Sequence, residues 1–321
     1  MGVSVLRLIN SADALSVHYG QQELFSYVYQ PDTPQLESPR PYFHPVYTLG
    51  GEAVTLFRPE DHVWHKGIAW SLPNVGTENF WGGVTYLRDR GYMQLNNNGA
   101  MVHEEFLRLT PATVAHRLHW VTEAGDVWFR DVRRFDVSVY ADQSAWVLAF
   151  GTAMTNVSGQ DIVIGSPTTE GRENAGYGGL FWRGPSPFVG GRVYVPVGEG
   201  GDELMGVRGP WLGFTSGSAT LVFVDAPENP GHPTKWFVRT GIYACLCPAP
   251  FFDTPVKVAH GESVLFRYAV VIADGDPGRP GAADLALLGQ SAISDSHWIP
   301  APPIRVRREP VEGGAPFDPG M

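Results

Sequence analysis

The strongest constraint on what this chain can fold into is a run of alternating segments with very short connections. Val114, His116, Leu118 and Trp120 alternate with Ala115, Arg117, His119 and Val121. A turn at Glu123-Ala-Gly-Asp126 leads to Val127–Tyr140, then to Ala145–Asn156 and Asp161–Pro167. Alternation with period two is the pattern of a strand with one face on a core. Long strands joined by short turns form a meander, the signature of stacked antiparallel sheets.

The remainder fits the same scheme. Val3–Ile9, Ala14–Tyr19 and Glu23–Tyr29 read as strands, and Pro31–Pro45, with five prolines, as an irregular excursion. Val46–Leu49 and Ala53–Phe57 predict a hairpin around Gly50-Gly51. Further strands are expected at Met101–Leu109, Pro210–Thr215, Ala219–Val224, Trp236–Val238, Ile242–Cys247 and Ser263–Ala273, with Glu170–Pro187 a glycine- and arginine-rich loop. With 38 glycines and 27 prolines, about a fifth of the chain, turns must be frequent. One short helix is predicted, Ala282–Ser291. No repeat or linker divides the sequence. The expectation is all-β: roughly fifteen strands in one large antiparallel two-sheet β-sandwich, a supersandwich, over residues 1–299, with a Pro/Gly-rich tail over 300–321.

A formal charge of −10 and the lack of a basic stripe argue against nucleic acid. No apolar run approaches the roughly 18 residues of a membrane span. Met1-Gly-Val-Ser-Val-Leu6 has no signal-peptide core, and Leu6 breaks the myristoylation pattern. Cys245 and Cys247 would point the same way on a strand, poor geometry for a disulfide, and read as packing residues of a cytoplasmic protein. The ten tryptophans can fill a sandwich core or form platforms for sugar rings.

Four stretches concentrate chemistry. Asp61, His62 and His65 share a loop preceded by Tyr42 and His44; the imidazoles suit an acid–base pair or, with a third ligand, a metal. His103-Glu104-Glu105 starts a strand, where alternation puts His103 and Glu105 on one face; a carboxylate beside an imidazole is a proton-transfer couple. Glu170–Arg183 offers Arg172, Tyr177 and Arg183 among four glycines, without a dinucleotide-binding spacing. Asp225–Arg239 offers His232, Trp236 and Arg239 from a loop stiffened by prolines; Trp236 suits either ring stacking or the core. His116 and His119 face opposite sides of their strand and read as structural.

With these stretches in view, the chain resembles DUF6807, a bacterial family of unknown function whose members are often labelled methane oxygenase PmoA. The resemblance rests on Arg40-Pro-Tyr-Phe-His-Pro45, Asp61-His-Val-Trp-His-Lys-Gly67, Tyr177-Gly-Gly-Leu-Phe-Trp-Arg-Gly184, Asn229-Pro-Gly-His-Pro-Thr-Lys-Trp236 and Pro248-Ala-Pro-Phe-Phe252, and extends to Asp274-Gly275. The family pattern is Asp-His-Pro-His-His-Arg-Gly where this chain has Trp64 and Lys66, so a chemistry needing three histidines there would be altered. The methane oxygenase label conflicts with a β-rich chain that has no span, since those membrane subunits are helical and membrane-spanning. At fold level the family resembles the galactose-mutarotase-like supersandwich, whose members act on carbohydrates with His and Glu on a concave sheet face; this assigns no roles here.

The expected partner is a small-molecule carbohydrate, with no nucleic acid, membrane, cofactor or metal called for; self-association stays open. The expected reaction is epimerisation, mutarotation or elimination by proton transfer, with His65 and Glu105 as acid and base and His62 and His44 in support. Tyr42, Arg172, Tyr177, Arg183, His232 and Arg239 would hold oxygens, and Trp236 would stack on the ring. The alternatives are a carbohydrate-binding or regulatory module without turnover, and a metal-dependent enzyme using His44, His62 and His65.

Overall fold

The computed structural model describes residues 5–296. The meander β1 (Leu6–Asn10), β2 (Ala14–Tyr19) and β3 (Gln22–Val28) comes first, then a 3-10 turn at Gln35–Glu37. β4 (Tyr42–Val46) and β5 (Ile68–Val75) carry the chain to the middle of the same sheet. β6 (Glu78–Phe80) pairs with β5, and β7 (Thr85–Leu87) with β8 (Gly91–Met93) forms a separate two-stranded hairpin. A second sheet receives β9 (Ala100–Leu109), β10 (Thr113–Val121), β11 (Val127–Tyr140) and β12 (Ala145–Asn156). The chain returns to the first sheet with β13 (Ile162–Gly165) and β14 (Gly179–Arg183), and to the second with β15 (Arg192–Val195), β16 (Gly198–Gly200), β17 (Trp211–Thr215) and β18 (Ala219–Asp225). β19 (Lys235–Arg239), β20 (Cys245–Ala249) and β21 (Val256–Val258) complete the first; β22 (Ser263–Asp274) enters the centre of the second, and α1 (Gly278–Asp295) follows.

The result is all-β: an eleven-stranded sheet along β1-β2-β3-β4-β5-β14-β20-β19 faces a nine-stranded sheet ordered β16-β15-β17-β18-β22-β12-β11-β10-β9. Strand parity sorts the side chains into three apolar layers. Trp70, Trp146, Leu148, Phe150, Trp182, Trp236, Val238, Val270 and Ile272 fill the layer between the sheets. Val147, Val222, Val224 and Val271 point outward from the nine-stranded sheet and are covered by Ala282, Leu285, Ala286 and Ile293 of α1. Phe181, Phe237, Cys245 and Cys247 point outward from the eleven-stranded sheet, under Trp81 and Phe252. Among the described residues no helix covers this third layer, and the cavity described below opens on it. Among the described residues no helix is long and apolar enough to cross a membrane.

The described residues form twenty-two strands where about fifteen were expected, the surplus being short pieces such as β6, β15 and β16. Two departures matter for function. The proline-rich excursion ends in a true strand, β4, whose Tyr42, Phe43 and Val46 pair with β3 while Pro45 sits near its end. The loop expected over Glu170–Pro187 contains β14, whose Gly179–Trp182 pairs with Ile68–Ser71 of β5 at the sheet centre. The hairpin at Gly50-Gly51 is present, but beyond the single bridge Tyr47↔Ala53 its second arm is not a strand. Ile242–Cys247 forms a strand only from Cys245, and the helix extends to eighteen residues. Met1–Ser4 and the Pro/Gly-rich tail lie outside the described residues.

Gly179 shows why β14 begins with glycine. Its φ is +125°, and a Cβ there would lie 2.2 Å from the Pro248 carbonyl oxygen of the neighbouring strand. Gly91, at φ +74°, has nothing within 4 Å of its Cβ position. Gly179→Ala is therefore expected to destabilise the fold by roughly 2–4 kcal/mol and Gly91→Ala by only about 1 kcal/mol. Urea unfolding midpoints check this, and equal shifts would contradict it.

Candidate functional site

The loop between Phe57 and Gly67 is closed at its base by the antiparallel bridge Phe57↔Lys66 and the bond from Gly67 N–H to Leu56 O at 3.0 Å. Inside it two turns follow one another: His62 N–H donates to Pro59 O at 3.0 Å and His65 N–H to His62 O at 2.9 Å. The second turn brings the side chains of His62 and His65 to one side. Their rings stack with centroids 4.6 Å apart and planes 3° from parallel.

A buried charge cluster fixes the loop from beneath. Arg58 donates to both oxygens of Glu37, at 3.0 and 2.6 Å, and buried Lys66 pairs with Glu37 and donates to Val63 O at 3.1 Å. Arg40, fully buried, donates to the carbonyls of Glu37, Ser38 and Trp64 at 2.9, 2.9 and 2.7 Å. Burial raises the Glu37 carboxyl, but the bonds from Arg58 and Lys66 outweigh it and hold it below its ordinary value. Burial also brings Lys66 down to about 8, against the pull of Glu37.

The two imidazoles have different partners, and the partners fix their tautomers. Arg183 carries only donors, so its Nη1, 3.2 Å from His65 Nδ1, makes that nitrogen an acceptor and leaves the proton on Nε2. Asp61 Oδ2 lies 2.9 Å from His62 Nδ1, so this nitrogen donates, and in the neutral ring Nε2 is the acceptor. Neither Nε2 has a partner among the described residues, and neither is sealed from solvent. Arg183 Nη2 also donates to both Asp61 oxygens, at 3.0 and 2.8 Å, and its guanidinium lies 4.0 Å from the Tyr243 ring centroid. Burial pushes the Asp61 carboxyl up, but bonds from His62 and Arg183 bring it below its ordinary value. Burial, reinforced by His62 and Arg183, holds His65 neutral, well below the usual imidazole range.

Above the histidines lies a cavity of about 480 Å³ lined by His62, Trp64, His65, Trp81, Tyr92, Arg172, Tyr177, Phe181, Phe237, Arg239 and Tyr243, with Gly82, Val84, Ala175 and Ile242. Parity supplies its floor, because Phe181 on β14 and Phe237 and Arg239 on β19 face outward. Trp81 is placed by Asn79, whose Oδ1 accepts from Trp81 N–H at 2.8 Å and Gly82 N–H at 2.9 Å. The Trp64 side chain occupies the space beside Gly82 and Gly83: a Cβ at Gly82 would lie 2.6 Å from the Trp64 Cβ, and one at Gly83 2.7 Å from the ring. Burial raises the phenols of Tyr177 and Tyr243, so both stay neutral.

Of the residues singled out from sequence, His62, His65, Arg172, Tyr177 and Arg239 meet at this cavity. Arg183 stands behind it, engaged by Asp61 and His65. Glu105 is elsewhere: it lies on β9, at the edge of the other sheet, exposed and paired with Arg117. The alternation expected for it fails because of a bulge. Arg117 pairs with Glu105 but Leu118 with His103, so Glu104 is the extra residue. His103 therefore turns inward, its Nδ1 3.0 Å from His116 Nδ1, while Glu105 faces out. His44 bonds Thr55 Oγ1 at 2.9 Å and stacks on Phe57, as does Tyr42; neither lines the cavity. His232 bonds buried Asp225 at 2.8 Å, also outside it. Trp236 is core, donating from Nε1 to Gly209 O at 2.9 Å, and its neighbour Phe237 is the ring that reaches the cavity. Among the described residues no group of three or more His, Cys, Asp or Glu is placed to hold a metal, so His44, His62 and His65 do not form one. Burial pushes Cys247 up to about 12, as befits a packing thiol. Sequence reasoning missed Glu37, Trp81, Tyr92 and Tyr243; only Trp81, before a Gly-Gly pair, had a local signal.

The profile of a family described as "Family of unknown function (DUF6807)" matches residues 14–286. Among curated proteins no sequence matches. Among solved structures, the chain is similar to a galactose mutarotase related enzyme from Lactobacillus acidophilus, at 13% identity and TM-score 0.37, with 84% of this chain and 98% of that one covered. It is similar to a GalM/aldose epimerase homologue from C. elegans at 10% identity and TM-score 0.40, covering 85% and 100%. A GH36 alpha-galactosidase from Geobacillus stearothermophilus, in complex with raffinose, matches at 8% identity and TM-score 0.39, covering 88% and 42%. At these values the likeness assigns no residue a role.

The neutral histidines have a consequence for stability. Burial lowers His44 to about 4 and holds His65 and His116 well below the ordinary value. Below about pH 6.5 the unfolded chain binds protons that these folded imidazoles refuse, so stability falls as pH drops from about 6.5 through 4. The urea midpoint is expected to be lower at pH 5 than at pH 7.5, with a smaller drop in His44→Gln. A flat midpoint in the wild type would contradict the burial argument.

Proposed function

This chain belongs to DUF6807, a family of unknown function, and from that premise we propose that it is a carbohydrate-active protein that transfers protons at the anomeric centre or beside the carbonyl of a sugar. The observation that carries this reading is the stacked pair His62 and His65, in opposite tautomers, facing an aromatic cavity. His62 Nε2, backed by Asp61, is the base. His65 Nε2–H, held by Arg183 on the other nitrogen, is the hydrogen-bond donor to the oxygen that gains charge. In ring opening, His62 takes the proton from the anomeric hydroxyl as the bond from anomeric carbon to ring oxygen breaks, His65 stabilises the ring oxygen as it gains charge, and the proton passes from His62 through water to that oxygen, which recloses on either face of the carbonyl. In epimerisation, His62 takes the proton from carbon beside the carbonyl, His65 polarises the carbonyl oxygen, and the enolate is reprotonated from water on its opposite face while His62 releases its proton to solvent.

The cavity suits a sugar in its walls as well. Trp81, Tyr177, Phe237 and Tyr243 give flat apolar faces for C–H bonds, and the neutral phenols of Tyr177 and Tyr243 offer polar ends. Glu105 has no part in this scheme. The carboxylate that orients an imidazole is Asp61, one residue before His62.

A second reading, a binding module without turnover, is favoured by one observation: Trp64 adds another ring to the cavity where the resembling pattern has a histidine. The two readings separate in proton NMR of aldoses, keto-sugars and uronic acids in D2O. Catalysis predicts deuterium incorporation or accelerated anomer exchange, reduced about 100-fold or more in His62→Ala and in His65→Ala. Line broadening without exchange would support the binding module, and no response to any sugar would sink both readings.

A further inference from the structure

We propose that the sugar this cavity takes is anionic, and that Arg172 and Arg239 receive its carboxylate or phosphate group; this rests on the carbohydrate reading above. Both arginines line the cavity, whereas no Asp or Glu does. That is a local reversal in a chain whose formal net charge is −10.

The nearby carboxylates are already committed. Asp61 accepts from Arg183 at 3.0 and 2.8 Å and from His62 at 2.9 Å. Asp202 feels the charge of Arg239, but its Oδ1 accepts from both Thr240 N–H and Thr240 Oγ1. Arg239 is left with its guanidinium 5.5 Å from the Phe237 ring centroid and no side-chain hydrogen bond among the described residues. Arg172 lies 4.6 Å from the Tyr92 ring centroid and donates one Nη1 bond to Tyr92 OH, which in turn meets Tyr177 OH at 3.0 Å. That contact fixes the guanidinium and leaves its other donors open.

Two guanidiniums facing an aromatic, partly desolvated space without a counter-charge are arranged for an anion, because planar N–H pairs match carboxylate and phosphate oxygens alike. The overall negative charge does not cancel this, since it is screened beyond about 8 Å at physiological salt. The smaller cavity near β19, about 270 Å³, makes the contrast. Its Lys235 pairs with Asp253, a carboxylate that also lines the cavity, so this one holds a counter-charge of its own.

The test is calorimetric binding of matched sets to the full chain: glucose and galactose, their uronic acids, and their 6-phosphates. One anionic class is expected to bind at least about tenfold more tightly than its parent sugar, and which class does so distinguishes carboxylate from phosphate. The ratio should fall toward one in the Arg172→Gln/Arg239→Gln double variant. Arg239→Gln alone, which removes no hydrogen bond of the fold, repeats the comparison if the double variant does not fold. A neutral sugar binding as tightly as its anionic derivative, or a ratio unchanged in the variants, would overturn this inference and leave the carbohydrate reading standing. If no sugar of any class binds, both fall.

Discussion

The arrangement of the site depends on one buried carboxylate. Glu37 receives Arg58 and Lys66, which flank the two ends of the histidine loop, while Arg40, three residues along, ties the carbonyl of Trp64 to the same base. A buried ammonium is tolerated only where a partner compensates its lost hydration, and removing one member of such a pair costs far more than the pair contributes. The two turns that stack His62 on His65 are thus built on a charge cluster that lies outside the cavity lining. The excursion that holds Glu37 looks irregular in sequence, yet it is the foundation on which the loop rests.

Much of the fold was legible because it obeys simple periodicities. Val127–Tyr140 and Ala145–Asn156 form strands over the expected bounds, and the chain is all-β as its alternation and turn density imply. The failures come from places where a tertiary demand overrides a local rule. Glycine density at Glu170–Pro187 signals loop, but Gly179 is needed for close approach to Pro248 in the sheet centre. At the site, sequence proximity recovered His62, His65 and Arg172 but could not fix parity. One residue separates Trp236 in the core from Phe237 at the cavity, and one bulged residue, Glu104, turns Glu105 away from His103. Glu37 and Tyr243 were invisible for a different reason: each acts through residues distant in sequence.

The electrostatics of the site divide into a closed part and an open part. Beneath the histidines each carboxylate is paired, Glu37 with Arg58 and Lys66 and Asp61 with Arg183, while Arg40 donates to backbone carbonyls. Burial and the surrounding cations together keep His65 neutral, with its proton on Nε2. Around the rim the aromatic rings carry the guanidiniums of Arg172 and Arg239 on their faces, so charge is presented on an apolar support. The inner half is tied down by its own hydrogen bonds, and the outer half presents donors that the fold leaves unused.

The strand order also bears on how the polypeptide emerges during synthesis. β22 lies between β12 and β18, pairing Ala145–Thr155 with residues 263–273 more than a hundred positions later. Until that segment leaves the ribosome, the inner and outer faces of β12 have no neighbour on one edge, and the apolar residues that α1 later covers stay open to other chains. Non-local pairing of this kind makes productive collapse late and leaves a nascent chain exposed to aggregation. Expression yield should therefore respond more to chaperone supply and translation speed than the thermodynamic stability of the finished sandwich would suggest.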